Sequence, residues 1–577
     1  MNMFTNDIEE LYKIIISKKD IDFKNLALTN FVLKFEISSK ISEFFYKNFH
    51  DRKTVKGVVY TPINISNYMI NNTITKEEII SNPYLKICDL ACGTGNILIP
   101  LYNHLLNIFE ENINEINCKN SMEITDIKAH ILKNNLFGYD IDSFALKLLT
   151  IDLFKEHGVI FRNLYNEDFL TCDKDDYDVF IGNPPYIGHK DINKEYSKAL
   201  KLKFKSIYSD KGDISYCFFQ EALNHLEDSG KLTFITSRYF LESPSGSILR
   251  RMLKVNFDIL KIVDFYGIRP FSNANVDPVI IFLSKEQANY QYQRNIEVIK
   301  PQNCCKKEFL EELFSKDSYE NNKLNIFYIN KTLLDDKGWI LIDQKQRSII
   351  EKIKAKCSTT LDDICISYQG IITGCDKAFI VTKEDIANYH LEEELLMPWI
   401  KSSNIEKASV TNTDKYIIYS DLINNESDFP NCISFINQMK YKLEERRECK
   451  NGIRKWFQLQ WGRKPEIFSQ EKIIYPYKSV NNRFALSSGS YFSADVYALV
   501  LRDHVSVTYE YIMKLLNSDI YEFYFKTFGK KLGDKLYEYY PSNLLKLEIP
   551  IDAINSSADL YDFFGFTSDE IDIIKNI

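Results

Sequence analysis

Two periods alternate along the first half of the chain. Short runs rich in β-branched and aromatic residues, each closed by glycine, proline or a carboxylate, read as buried strands. They fall at Tyr84-Leu-Lys-Ile-Cys-Asp-Leu90, Asn135-Leu-Phe-Gly-Tyr-Asp140, Val179-Phe-Ile181, Gly230-Lys-Leu-Thr-Phe-Ile-Thr236, 259–265 and Val279-Ile-Ile-Phe-Leu283. Between them apolar positions recur at helical spacing: Ile97-Leu98-Ile99 running on to about Glu111, then Phe144, Leu146, Leu148, Leu149 and Leu153, then 216–226. Ahead of these, Ile8, Leu11, Ile14, Ile15 and Ile16 predict a helix over 6–19, with more helix to Asp51. Strands alternating with helices from 85 to 283 predict a doubly wound α/β domain. After about 300 the pattern changes to a glycine-punctuated loop at 369–379, a basic aromatic stretch at 441–490 and a mostly helical 509–529. The domains expected are a helical arm at 1–55, a catalytic α/β domain at 56–300 and a mixed α+β domain at 301–577.

The abrupt ends of two strands carry the candidate chemistry. Asp178-Val-Phe-Ile-Gly-Asn-Pro-Pro-Tyr-Ile187 stops at Gly182 and meets two prolines, so Asn183 and Tyr186 sit on a stiff loop at a strand's carboxyl end. Open α/β sheets bind ligands there. The carbonyls of Asn183 and Pro184, the Asn183 amide oxygen and an aromatic face suit a planar ring bearing an exocyclic amine. The earlier strand runs into Asp89-Leu-Ala-Cys-Gly-Thr-Gly95 and a helix, a nucleotide-binding arrangement. Leu98 stands where the third glycine of the dinucleotide fingerprint would be, which disfavours a pyrophosphate. Asp89 instead suits a cationic or hydroxyl-bearing ligand. Asp140, ending the next strand, is placed for ribose hydroxyls, and Asp142 for a helix N-cap. Asp168 beside Phe169 offers an acid and a ring to an adenine. Gly57-Val-Val-Tyr-Thr-Pro62 follows a basic patch (Arg52, Lys53, Lys56), and Asn64 or Ser66 is expected to cap the next helix.

Composition narrows the classes. A chain of 577 residues exceeds one ordinary core, and 45% apolar with 26% charged residues is globular. Twelve cysteines lack zinc-ligand spacing, so no metal is expected, and scattered thiols suggest a reducing cytoplasm. No membrane-spanning run or basic-then-apolar leader is seen. Net charge is −8, yet eleven cations against five acids lie in 441–490, with Trp456, Phe457, Trp461, Tyr475 and Tyr477 interleaved. That local reversal fits a nucleic-acid surface on which Arg454, Lys455, Trp456, Trp461, Arg463 and Lys478 are the candidate DNA contacts.

The ordered series Gly57-Val-Val-Tyr-Thr-Pro62, Asp89-Leu-Ala-Cys-Gly-Thr-Gly95, Asp140, Asp168 and Asn183-Pro-Pro-Tyr186 resembles the gamma-class DNA adenine-N6 methyltransferases, TaqI-like enzymes and type IIG methylases among them. Gly370-Ile-Ile-Thr-Gly374 and Trp456-Phe-Gln-Leu-Gln-Trp461 look like that family's target-recognition domain. The wording around Gly182-Asn-Pro-Pro-Tyr-Ile-Gly-His189 and 369–379 is closer still to clostridial orphan methylases of the CamA kind, which modify the last adenine of CAAAAA without a paired nuclease. The resemblance implies a Rossmann-like class I S-adenosylmethionine-dependent domain plus a target-recognition domain, acting on duplex DNA as a monomer in the cytoplasm at the nucleoid. It places Tyr60, Thr61, Pro62, Asp89, Ala91, Cys92, Gly93, Asp140, Ile141, Asp168, Phe169 and Asn183 around the cofactor. Asn183 and Pro184 would take the target amine, Tyr186 would stack on a flipped base, and Phe271 would be the second stacking wall. The rivals are a methylase of a restriction-modification system and an RNA or protein-glutamine methyltransferase. The short N-terminal arm lacks a Pro-Asp…Asp/Glu-x-Lys cluster, which leaves a fused nuclease unsupported.

Overall fold

The computed structural model describes residues 2–49, 60–120, 123–188, 192–208, 212–271, 276–285, 295–302, 304–315, 323–503, 505–533, 535–551 and 559–576. The basic patch at 52–56, the 57–59 piece of the first motif and His189 lie outside them. The chain divides into two compact units, Met1–Leu341 and Ile342–Ile577.

In the first unit the arm is three helices, α1 (Asn2–Ile16), α2 (Ile21–Lys34) and α3 (Ile41–Asn48). Next come α4 (Ile63–Thr73), α5 (Lys76–Ser81) and α6 (Leu98–Lys119), which runs well past the predicted end at Glu111. A short α7 (Ile127–His130) precedes α8 (Ser143–His157), α9 (Lys194–Lys203) and α10 (Ser215–Asn224). The strands are β1 (Ile87–Asp89), β2 (Leu136–Tyr139), β3 (Leu164–Tyr165), β4 (Tyr177–Gly182), β5 (Leu226–Ser237), β6 (Phe257–Asp264), β7 (Pro278–Lys285), β8 (Asn295–Pro301) and β9 (Leu324–Asn330). They form one sheet in the order β3-β2-β1-β4-β5-β7-β6-β8-β9. The pairs from β3 to β5 are parallel, and β7 lies antiparallel between β5 and β6. The order reverses between β1 and β4, which opens a crevice at their carboxyl ends.

Every predicted strand of the α/β region is present, within a few residues. Three details differ. The helix after Thr61 is capped by Pro62, whose carbonyl accepts from Ile65 and Ser66, so Asn64 and Ser66 lie inside the first turn. The short turn-strand element that 166–170 predicts is a turn alone, with Asp168 and Phe169 following β3. The sheet continues through β8 and β9, placing the unit boundary at Leu341/Ile342, beyond the change of pattern near 300. Those two strands lie at the sheet's end and are interrupted by polar residues such as Glu297, Lys300 and Asn325, so they lack the continuous apolar signature of the buried ones.

The arm packs on α8. Phe4, Ile8, Leu11, Phe31, Ile41 and Phe45 share a core with Leu148, Ile151 and Phe154, and burying a phenylalanine of this kind contributes roughly 2–3 kcal/mol. Helix α3 has no side-chain cap of its own. Instead Asp152 of α8 accepts the backbone N–H of Ile41 (2.7 Å) and of Ser42 (3.1 Å), and the Ser42 hydroxyl. Asp142 caps α8 as expected, accepting from Phe144 and Ala145.

The second unit is mixed α+β. One four-stranded sheet orders Cys365–Gln369, Val496–Leu501, Lys472–Pro476 and Ala485–Ser487; a second orders Ile380–Thr382, Lys415–Ile418, Leu396–Ile400 and Tyr491–Phe492. Helices Tyr509–Leu516 and Asp519–Phe528 account for the predicted helical stretch. Among the described residues no helix is long and apolar enough to cross a membrane.

Candidate functional site

The loops after β1, β2 and β4 surround a cleft of about 540 Å³. Tyr60, Thr61, Asp89, Ala91, Cys92, Gly93, Asp140, Ile141, Asp168, Phe169 and Asn183, distant in sequence, all line it. Pro62 does not; it borders a neighbouring groove with Ile65 and Pro270.

The turn after β1 is shaped for close packing. Gly95 has φ +81°, and a Cβ there would meet Leu149 of α8 at 2.7 Å, so only glycine lets α8 lie so near. One Asp140 oxygen accepts from the Gly93 N–H (2.8 Å) and the other from the Asp142 N–H (2.8 Å). Asp140 therefore ties the β2 loop to the glycine turn while facing the cleft. Burial raises its carboxyl above the ordinary range, opposed by those two N–H donors. Asp89 is buried and its carboxyl is pushed up to about 8 by desolvation, against the Ala91 N–H that it accepts at 3.2 Å.

Asp168 is a loop builder as well as a lining group. It accepts from the Leu170 N–H (3.0 Å), from Thr171 and from the hydroxyl of Tyr196 on α9 (2.7 Å). Phe169 is buried, edge-on to Tyr139 and Phe180. Tyr196, Asn193, Ile187 and Phe218 also line the cleft and were missed by sequence reasoning. Nothing local marks them: Tyr196 sits on a polar helix, and only the fold turns that helix over Asp168.

At the end of β4, Asn183 donates through Nδ2 to the Thr61 hydroxyl (3.1 Å) and accepts the Tyr186 hydroxyl on Oδ1. The Tyr186 hydroxyl also lies 3.1 Å from the Ile235 carbonyl. The first and the last motif of the series are thus joined directly. Two expectations change here. The Asn183 amide oxygen is engaged by Tyr186. Phe271 is buried in the apolar core with Phe265 and Phe309, so its ring is not presented as a stacking wall.

In the second unit the two recognition motifs meet. Ile372 and Trp461 pair as an antiparallel bridge, and Gly370 packs so tightly on Ser493 that a Cβ would lie 2.1 Å from its carbonyl oxygen. Arg446 donates to the carbonyls of Leu443, Thr373, Trp456 and Gln458. Arg463 donates to the Gly370 carbonyl and the Gln369 side chain. Its guanidinium is thus engaged as a loop clamp. Arg454 pairs with Asp421 (3.0 Å) and lies over Trp461, whereas Lys455 and Lys478 are exposed and Trp456 is half-buried beneath Lys440.

Comparison with known proteins places both units. Residues 117–271 match the model of the Eco57I restriction-modification methylase, and 397–551 that of the TaqI-like C-terminal specificity domain. Two successive segments of the chain are thus similar to an Eco57I-type methylase and to a TaqI-like specificity domain. It is 24% identical over 518 residues to the Type II methyltransferase M.BstVI of Geobacillus stearothermophilus, covering 86% of this chain and 90% of that one. It is 23% identical to the Type II restriction enzyme and methyltransferase RM.Eco57I of Escherichia coli, over 82% of this chain but only 55% of that protein. Among solved structures the Type IIL restriction-modification enzyme MmeI, determined in complex with DNA, superposes with TM-score 0.55 at 14% identity, over 93% of this chain and 74% of that one. The cofactor of the methylase unit is S-adenosylmethionine. The donor set fits it: buried carboxylates for an ammonium and ribose hydroxyls, a glycine turn, and apolar lining from Ile141, Phe169 and Phe218.

Proposed function

We propose that this protein transfers a methyl group from S-adenosylmethionine to N6 of an adenine flipped out of duplex DNA. The observation that carries the reading is the Asn183 loop at the carboxyl end of β4, bonded to Thr61 in the wall of the cleft that holds Asp140 and Gly93. When bound, the cofactor supplies a methyl group on a sulfonium, an electrophile that needs no metal. The chain's part is orientation. Adenine's amine is a weak nucleophile because its lone pair is delocalised into the ring. The Asn183 amide oxygen and the Pro184 carbonyl accept its two hydrogens and turn the lone pair toward the methyl. Tyr186 gives up or shares its bond to Asn183 and offers its ring to the extruded base, replacing part of the lost stacking. Holding the reacting atoms in line supplies much of the remaining barrier reduction.

Around the cofactor, Thr61 flanks the methionine end, with Pro62 behind it as the cap of α4, Asp89 faces its ammonium, Asp140 and Ile141 the ribose, and Asp168 and Phe169 the adenine. The second unit selects the site, with Lys455, Lys478, Trp456 and Trp461 toward DNA and Arg454 bracing Trp461. The protein acts as a monomer on cytoplasmic, nucleoid DNA. The wording of the Asn-Pro-Pro-Tyr and Gly370 motifs favours an orphan methylase with CAAAAA as its site. The named Type II relatives favour instead a methylase paired with a restriction enzyme.

Labelled methyl transfer to DNA, RNA and protein side by side tests the substrate class, and nuclease digestion of labelled DNA tests the base. Label in N6-methyladenine of duplex DNA is expected; label confined to RNA or protein overturns the reading. Single-molecule sequencing of DNA from expressing cells reads the site. Cleavage of unmodified DNA by the purified protein would refute the orphan assignment.

A further inference from the structure

We propose that Tyr46, on helix α3 of the N-terminal arm, is a positioning residue that holds Tyr60 and thereby sets the affinity of the cleft for S-adenosylmethionine. Tyr60 lines the cleft, and a Cβ placed on Gly93 would lie 4.0 Å from its ring, so this phenol forms a wall over the glycine turn. Tyr46 does not line the cleft. Its ring packs on that of Tyr60 with centroids 4.5 Å apart and planes inclined at 49°. The two phenols also interact through their hydroxyls, and burial with the nearby Asp142 and Asp140 carboxylates raises both, Tyr46 to about 12. Both rings therefore stay neutral.

Helix α3 is itself held in place. Asp152 of α8 caps its first turn, and Phe45 packs on Phe144 (4.9 Å), two residues beyond the capping Asp142. The arm is thus anchored to the helix whose start follows Asp140, the residue that faces both the cleft and the Gly93 N–H. Through Tyr46 that anchorage reaches a cleft wall. A wall held in one rotamer before binding loses less side-chain entropy when ligand arrives. The arm is in this view part of the cofactor site rather than an appendage.

The inference rests on the cleft being the cofactor site, and equilibrium binding separates the two. S-adenosylmethionine and S-adenosylhomocysteine are titrated calorimetrically into the full chain and into Tyr46→Phe, Tyr46→Ala, Tyr60→Phe and the double Phe variant. Loss of one hydroxyl interaction is expected to weaken binding by about two- to tenfold in Tyr46→Phe, with a larger loss in Tyr46→Ala. In the Tyr60→Phe background, Tyr46→Phe is expected to add nothing, because the interaction is already gone. Kinetically, in the Tyr46 variants KM for the cofactor rises while kcat at saturating cofactor and KM for DNA hold. Equal affinity of wild type and both Tyr46 variants overturns the inference alone, as does additivity of the two hydroxyl deletions. Failure of the wild-type protein to bind either compound overturns the reading of the cleft.

Discussion

Asn183 shows how much one side chain is asked to do. Its amide is oriented by two neighbours, Thr61 on the nitrogen and Tyr186 on the oxygen. Asn183→Ala is expected to lower turnover by at least about a hundredfold, the scale of losing a fixed polar group aimed at the reacting centre, and to leave cofactor affinity nearly unchanged. Single-turnover transfer and calorimetry on the same preparation check it; retained turnover would sink the proposed mechanism. A second expectation concerns Asp89, whose carboxyl keeps its proton to about 8. To face an ammonium it must ionise, so binding releases a proton at lower pH. Cofactor affinity should rise with pH toward about 8, by at most about tenfold per unit, and then level. Asp89→Asn should flatten the profile, and a flat profile in wild type would show that Asp89 faces no cation.

Elements are held by groups that lie far off in the chain. Helix α3 borrows its cap from Asp152, 111 residues from Ile41. Replacing that cap, Asp152→Ala, is expected to cost about 1–2 kcal/mol and to expose the arm to protease before the rest of the unit. Limited proteolysis against the thermal melt tests this, and an unchanged cleavage pattern would count against it. In the second unit, Arg446 joins the Thr373 loop to the Trp456–Gln458 segment through three carbonyls. Arg446→Lys keeps the charge but cannot hold three acceptors in one plane. DNA affinity should fall although the net charge is unchanged, while cofactor binding in the first unit is untouched; a filter-binding assay at fixed salt decides it.

At the scale of the whole molecule, charge counted along the chain misjudges the surface. Five of the eleven cations in 441–490 are spent on the protein: Arg446, Arg454, Arg463, Lys472 and Arg483 bond to carbonyls or to side-chain oxygens. Lys472 is buried, and desolvation lowers its ammonium to about 8. Lys442, Arg447, Lys450, Lys455, Lys464 and Lys478 remain exposed. With about six cations available from this segment, its share of the dependence of log affinity on log salt should be no steeper than about −5. A much steeper slope would place most phosphate contacts elsewhere.

The doubly wound unit was legible in the residues because strand and helix periods are local, and glycine and proline stop strands wherever they occur. The cleft motifs were legible for the same reason: Asp89 ends a strand, Asp140 and Asn183 directly follow one, Gly93 lies in the turn after β1, and a parallel sheet gathers such ends on one edge. What the tertiary structure alone decided is who faces whom. Tyr196 over Asp168, Asp152 under α3, Tyr46 on Tyr60, Phe271 turned into the core and Arg463 turned onto a carbonyl all depend on contacts between segments remote in the chain. A side chain's type limits the partners it can take. Which partner it meets depends on packing, and no local pattern carries that information.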